Sequence, residues 1–308
     1  MPDESIEAKI YWLALSRIKN LGVKKAQLLL SRFGSVEAIF SASTSELESL
    51  TKLSSTMVQD IINSGKDIAK YENLIGNLSN SGIDVLCPDD LEYPNLLNFA
   101  GDPPIILYKR GVLPKSDYMT VAIVGTRFPT REGSMKAQEI AERLAKKDIV
   151  VVSGLAKGID TSAHKGALNC GGKTISVVGS GLRKIYPNEN SGLAESISNN
   201  GCILSECHPN EIVSKGRLIQ RNRIISGISL GVILVEPERG AMNTAYWASM
   251  QNRPVFLFDS GNSQEPEKPI EGLLRIVNID WLDILIAQLS SFKDSLSLAN
   301  MEDHLELF

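Results

Sequence analysis

A chain of 308 residues with net charge −4, 43% hydrophobic and 22% charged side chains has the composition of an ordinary globular protein, which excludes a wholly disordered chain. Its four cysteines, Cys87, Cys170, Cys202 and Cys207, show no C-x-x-C spacing, which excludes a disulfide framework, suits a reducing compartment and leaves zinc without a fourth ligand even beside His208. No apolar run approaches a membrane span and the acidic start MPDESIEAK lacks a signal core, so a cytoplasmic protein with no membrane partner is expected.

Charge is unevenly placed. Residues 1–118 hold 12 basic and 15 acidic side chains, residues 119–260 hold 17 and 12, and residues 261–308 hold 3 and 9. A basic centre between acidic flanks points to an anionic partner for the middle of the chain, although solvated faces of α/β domains are often basic too.

In chain order, residues 7–34 read as two amphipathic helices broken at Lys19-Asn20-Leu21-Gly22. The break is like the turn of a helix-hairpin-helix, where N–H groups at the start of the second helix receive a nucleic-acid phosphate. Asn20 stands in place of the first glycine of that motif, Gly22 keeps the second, and Lys24 and Lys25 follow. A hairpin that only packs on its neighbours has the same pattern. Ser35, then Ser43 or Thr44, can cap two short helices, and Leu53–Ile62 gives another, so residues 1–65 read as a small all-α domain of helix-hairpin-helix or SAM-like type. A helix over Lys66–Ser79, a strand at Ile83–Leu86 and a strand within Pro103–Gly111 are assigned to the next domain, residues 66–289.

From Tyr118 the pattern alternates. Strands are expected at Val121–Val124, Val150–Val152, Thr174–Val178, Cys202–Ser205, Leu230–Val235 and Val255–Phe258. Helices are expected near Ser134–Lys147, Asp160–Asn169, Asn188–Asn199, Gln220–Gly227 and Asn243–Gln251. This spacing predicts an α/β fold, an extended Rossmann-like, doubly wound and mainly parallel sheet. Residues 262–272 read as a loop, Ile270–Leu289 as a last pair of short elements, and residues 290–308 as an acidic, disordered tail.

Two strand-to-helix turns carry the chemistry. In VAIVGTRFPTREG, Gly125 permits close approach, Thr126 can cap the next segment, and Arg127 puts a guanidinium where helix N–H groups already favour an anion. The following unit repeats this with Ser153, Gly154, Lys157 and Gly158, before a helix starting near Asp160. Turns at Gly125, Gly154 and Gly179 all fall at carboxyl ends of strands, so their cations can share one mouth. Arg221 and Arg223 lie about 200° apart if helical, so one of the two is expected to pair with a carboxylate and Arg221 to face phosphate. Phe128, Tyr186 and Trp247 are the aromatic candidates for stacking on bases; Phe128, in a turn beside Arg127, is kept as the stacker, and core packing is assigned to the others. His164 reads as a packed structural residue and Asp160 as a helix cap.

Three stretches, VAIVGTRFPTREG, VVSGLAKGIDTSAHKGALNCGGKTISVVGSGLRKIYP and RNRIISGISLGVILVE, together resemble the DNA-processing protein A (DprA/Smf) family. With the N-terminal hairpin and CPDDLEYPNLL, the resemblance covers residues 10–290. It implies a homodimer that holds single-stranded DNA in a positively charged pocket, protects it, and loads a RecA-type recombinase in DNA uptake, natural transformation or recombination, with no catalysis and no cofactor. Carried over position by position, it assigns the pocket to Gly125, Arg127, Lys157, Lys173, Arg221, Asn222 and Arg223, to which the reading of the turns adds Thr126, Phe128, Ser153, Gly154, Gly158 and Gly179. The chain departs from the family at Arg239-Gly240-Ala241-Met242-Asn243-Thr244, where a serine-glycine-serine phosphate turn is usual, at Arg217-Leu218-Ile219 in place of asparagine-phenylalanine-proline, and at Arg183 in place of an aspartate; a winged-helix domain like that of many relatives is not expected. The first departure motivates a rival reading, a Rossmann-like nucleotide sensor or phosphoribohydrolase-like enzyme.

Overall fold

The computed structural model describes residues 4–115, 118–258, 270, 272–276 and 281–305. The rest of the expected loop, 262–269 and 271, and the last residues of the expected tail, 306–308, lie outside them. The chain forms two compact units, Met1–Tyr93 with Asp102–Arg110, and Pro94–Gly101 with Gly111–Phe308.

The first unit contains helices α1 (Glu4–Ser16), α2 (Val23–Phe33), α3 (Val36–Ser41), α4 (Thr44–Glu48), α5 (Ser55–Lys66) and α6 (Ile68–Ser79). Leu13, Ile18 and Leu21 are buried, as are Ala26 and Leu29 of α2, so the two helices share one apolar seam. Ser35 caps α3, and Ser43 closes a capping box with Glu46 at α4, because each serine accepts a first-turn N–H. Two short strands, β1 (Asp84–Leu86) and β2 (Leu107–Gly111), pair antiparallel, with Val85 opposite Tyr108. Lys109 is buried between Glu92 at 2.8 Å and Asp84 at 3.3 Å. Helix α6 packs on α1 with Tyr71 and Leu78 buried, so this unit runs to Tyr93 instead of ending at residue 65.

The second unit is an α/β sheet. Its strands are β3 (Thr120–Gly125), β4 (Val150–Ser153), β5 (Thr174–Val177), β6 (Cys202–Ser205), β7 (Gly231–Val235), β8 (Val255–Phe258) and β9 (Leu273–Ile276), and its helices are α7 (Arg131–Ala145), α8 (Ile159–Asn169), α9 (Ser191–Asn200), α10 (Lys215–Gln220), α11 (Asn222–Gly227), α12 (Arg239–Met250) and α13 (Trp281–Leu305). The strands stand in the order β6-β5-β4-β3-β7-β8-β9, and neighbouring strands among them pair parallel. Strands β4 to β8 are buried throughout, the mark of a sheet covered on both faces. On one face Val121, Ile123, Ile233 and Phe256 pack with Ile140, Leu144, Ala163, Trp281 and Leu285 from α7, α8 and α13. Residues one step along each strand turn to the other face, where α12 covers β3, β7 and β8. Phe258 meets Trp281 edge to face with ring centroids 5.0 Å apart.

Four local expectations change. The helix expected over Gln220–Gly227 is two, α10 and α11, joined at Arg221, with Ser214 capping the first by accepting the Arg217 N–H. Helix α12 starts at Arg239, four residues before the expected Asn243. Thr130, not Thr126, caps α7 by accepting the Gly133 N–H at 2.9 Å; Glu236 in turn accepts the Thr130 N–H. Helix α13 carries on from Trp281 to Leu305, so the expected tail begins inside a helix.

Candidate nucleic-acid interface

Chain order runs from β3 outward through β4, β5 and β6, then returns to β7 on the other side of β3. Connections therefore leave the carboxyl ends of β3 and β7 in opposite directions, opening a crevice where doubly wound sheets bind ligands. A cavity of about 770 Å³ lies at this place.

One wall is the turn after β3. Gly125 and the exposed side chains of Arg127 and Phe128 line the cavity, and Phe128 is 85% exposed. Thr126 is buried and its hydroxyl accepts the Phe128 N–H at 3.0 Å, while its own N–H donates to Glu236 O at 3.1 Å. Thr126 therefore fixes the turn from which Arg127 and Phe128 project. Gly158 packs from below at φ 83°, where a Cβ would stand 2.4 Å from Thr126 O, so only glycine fits.

The second turn divides its roles. The Ser153 hydroxyl is fully buried and donates to Ile123 O at 2.6 Å, which ties β4 to β3 and removes it from the ligand-facing set. Gly154 makes room for the Arg221 guanidinium. Lys157 is exposed and paired with Glu189, whose carboxyl is held below its usual range by that bond; Lys157 is not part of the cavity wall. Gly179 is buried with the backbone of Leu218 against it.

Arg221, at the α10–α11 joint, forms the floor. Its Nη1 donates to Val177 O at 2.8 Å, its Nη2 stands 3.9 Å from Asp160, and its buried Nε–H has no acceptor. Burial pulls Arg221 below the usual guanidinium range, with Asp160 countering and Arg127 adding to the shift. The same burial raises the Asp160 carboxyl, against Arg221 and the Ala156 N–H, which donates to Asp160 at 3.1 Å. Asn222 lines the cavity and donates to Gly240 O and Asn243 Oδ1, both at 3.2 Å, which links α11 to the start of α12. Arg223 takes the structural role: it is 3% exposed and bonds Glu206 at 2.6 Å.

Lys173 does not join this site. It precedes β5, and in a parallel sheet strand starts lie on the edge opposite the carboxyl ends; its ammonium sits 4.3 Å from the Tyr118 ring centre. Tyr186, 44% exposed, lines the rim, and Trp247 is absent from the cavity wall. Arg239, Lys215 and Asn243 line the cavity without having been assigned to it from sequence. For Arg239 a signal was present, since a cation just after β7 repeats the strand–turn–cation pattern of Arg127.

His164 lies buried behind the site. Its Nδ1 is 2.7 Å from the Thr174 hydroxyl, which itself donates to Val151 O, so Nδ1 carries the proton and Nε2 is left without a partner. Burial, reinforced by Arg221, pushes the imidazole down to about 3.

A family model for DNA recombination-mediator protein A matches residues 84–275. Protein Smf of Synechocystis is 37% identical over 252 residues, 80% of this chain and 63% of that protein. DNA processing protein DprA of Bacillus subtilis is 36% identical over 190 residues, 61% of this chain and 64% of that protein. The matched part of the chain thus spans just under two thirds of the length of these relatives. The structure of DNA processing protein A from Streptococcus pneumoniae aligns with a TM-score of 0.67 at 29% identity, covering 91% of this chain and 92% of that one. That of DNA processing protein A from Helicobacter pylori, described for its single-stranded DNA binding mode, aligns with a TM-score of 0.56 at 29% identity, covering 67% and 96%. The matched region takes in strands β1 to β8 with the turns after β3 and β4, and the chain belongs to the DNA recombination-mediator protein A family.

Proposed function

We propose that this chain is a single-stranded DNA-binding recombination mediator that grips the strand at the β3–β7 mouth. The observation that carries the reading is the cavity itself: Arg127, Lys215, Arg221 and Arg239 line it against two acids, Asp160 and Glu238, with the ring of Phe128 exposed at its edge. Cations that track phosphates beside an aromatic face suit a strand whose bases are unpaired. The single-stranded DNA binding mode described for the Helicobacter pylori relative supports the same ligand. On this reading the chain protects the strand and, as a homodimer, passes it to a RecA-type recombinase.

The reading is of a binder, with no catalysis and no cofactor. Asp160 is engaged by a loop N–H, and His164 is buried and titrates too low to act as a base near neutrality. The test is anisotropy of labelled oligothymidine across a salt series, for the wild type, Arg127→Ala and Lys157→Ala. Expected are tight binding at low salt and, in each variant, weaker binding with a log–log salt slope shallower by roughly 0.7 per lost phosphate contact. Absence of binding at low salt, or release of free base from nucleoside monophosphates, would overturn the reading.

A further inference from the structure

Beneath the first turns of α8 the sheet presents polar side chains. Val151 stands beside Thr174 across β4 and β5, and Ser153 beside Ser176 one pair further on, so a period of two puts all four on one face. That face looks at α8, because the Thr174 hydroxyl meets His164. Asp160 and His164 lie one turn apart on α8, and the Arg221 guanidinium comes in across Gly154 to stand 3.9 Å from Asp160. Ser153, His164, Thr174 and Ser176 are fully buried.

Hydrogen bonds in this volume run in one direction and leave three atoms over. The Thr174 hydroxyl donates to Val151 O at 2.7 Å and accepts from His164 Nδ1, so Nε2 of the neutral ring is an acceptor. Nε2, Ser176 Oγ and Arg221 Nε are all buried with no hydrogen-bond partner among the described residues. Arg221 is anchored close to the other two: its Nη1 donates to the carbonyl of Val177, the residue after Ser176, and its charge bears on the imidazole. Buried polar atoms left unpaired are costly, so three in one place mark where a partner belongs. One of them accepts, one donates, and the hydroxyl does either. That is the partner set of a buried water, which makes about three hydrogen bonds. An anion would need donors on every side and would meet a lone pair at Nε2.

We infer that ordered water held under α8 joins His164 Nε2 to Arg221 Nε–H and the Ser176 hydroxyl, which makes His164 a positioning residue for the floor of the mouth. Val177 O holds one end of the guanidinium, and a second bond through Nε fixes its plane. The water follows from these contacts alone, while its bearing on DNA rests on the proposed function.

The test uses the full chain and follows the Arg221 Nε–H by NMR, its signal assigned by its loss in Arg221→Lys, beside oligothymidine anisotropy. In the wild type this proton is expected to exchange slowly and to show cross-relaxation with water. His164→Leu removes the acceptor and is expected to shift the signal, abolish the water peak and weaken oligothymidine binding about three- to tenfold. His164→Gln, which offers an amide oxygen in the place of Nε2, is expected to restore both the peak and the affinity, a rescue that mere packing does not give. Ser176→Ala removes the other arm without touching α8 and should shift the same signal, so the test survives a His164→Leu chain that does not fold. Absence of the water peak in the wild type, or a signal unmoved in both His164→Leu and Ser176→Ala, overturns the inference and leaves the proposed function standing if the wild type binds oligothymidine. A signal that shifts with no loss of affinity strikes out the positioning role. A wild type that shows the water peak but binds no oligothymidine keeps the water and sinks the proposed function.

Discussion

Gly154 and Arg221 share one volume: a Cβ on Gly154 would lie 1.6 Å from an Arg221 terminal nitrogen. The absence of a side chain after β4 is therefore what lets a guanidinium from the α10–α11 joint reach Val177 O and the cavity floor. Gly154→Ala is expected to expel that guanidinium, with an overpacking cost of about 1–3 kcal/mol in chemical denaturation. Oligothymidine affinity should fall with it. Unchanged stability and affinity would show that the loop gives way without disturbing Arg221.

His164 should make stability pH-dependent. The folded imidazole titrates at about 3 against 6.5 for an unperturbed ring, so below about 6.5 the unfolded chain takes up a proton that the folded chain refuses. Stability is therefore lost as pH falls through this window, by at most about 1.4 kcal/mol per pH unit. Asp160, whose raised carboxyl takes up its proton earlier in the folded state, offsets part of the loss. Urea midpoints for the wild type and His164→Gln from pH 7 to pH 4.5 should diverge, the wild type falling more steeply; parallel curves would refute the assignment.

Arg253 holds a helix end in place through carbonyl and amide oxygens. It is 2% exposed and donates to Ser229 O at 2.6 Å, Gly227 O at 2.7 Å, Leu96 O at 2.8 Å and Gln251 Oε1 at 3.2 Å. Burial pulls it down to about 10, so it stays charged at neutral pH beside the carbonyl end of α11. Arg253→Met leaves two buried carbonyls and one half-buried carbonyl without this donor and is expected to cost about 3 kcal/mol or more. Arg253→Lys should recover only part of that, because one ammonium cannot span three divergent acceptors. A thermal melt of Arg253→Met equal to the wild type would contradict this role.

Glu189 holds Lys157 in an ion pair, so on the proposed reading it competes with phosphate for that ammonium. The ion pair is exposed on both sides, so its release is cheap. Glu189→Gln is expected to tighten oligothymidine binding at low salt by less than about fivefold, and the gain should vanish when Lys157→Ala is added. A gain that persists in the double variant would mean that Glu189 acts through the general field and not through Lys157.

How much of this was legible beforehand follows from which forces are local. Strands β6 and β8 fall at the very residues expected, and β3, β4, β5 and β7 within one residue at each end, because a strand buried on both faces must be a continuous apolar run and glycine or a charge ends it. The parallel, doubly wound fold followed from that alternation, and so did the placing of the Gly125 and Arg127 turn at the carboxyl edge of the sheet, where it lines the cavity. What the sequence could not decide was which cations meet. Arg221 and Arg223 sit two residues apart in one polar-apolar pattern, yet one lines the cavity and the other bonds Glu206. Lys173 follows the same kind of glycine turn as Lys157 but lies at the start of its strand, on the far edge of the sheet. Local pattern fixes where a strand or helix forms, through burial and backbone hydrogen bonding within a few residues. The fate of a buried guanidinium was settled only by the tertiary structure, because the space at Gly154, the carbonyl of Val177 and the carboxylate of Asp160 come from three separate segments that only the folded sheet brings together.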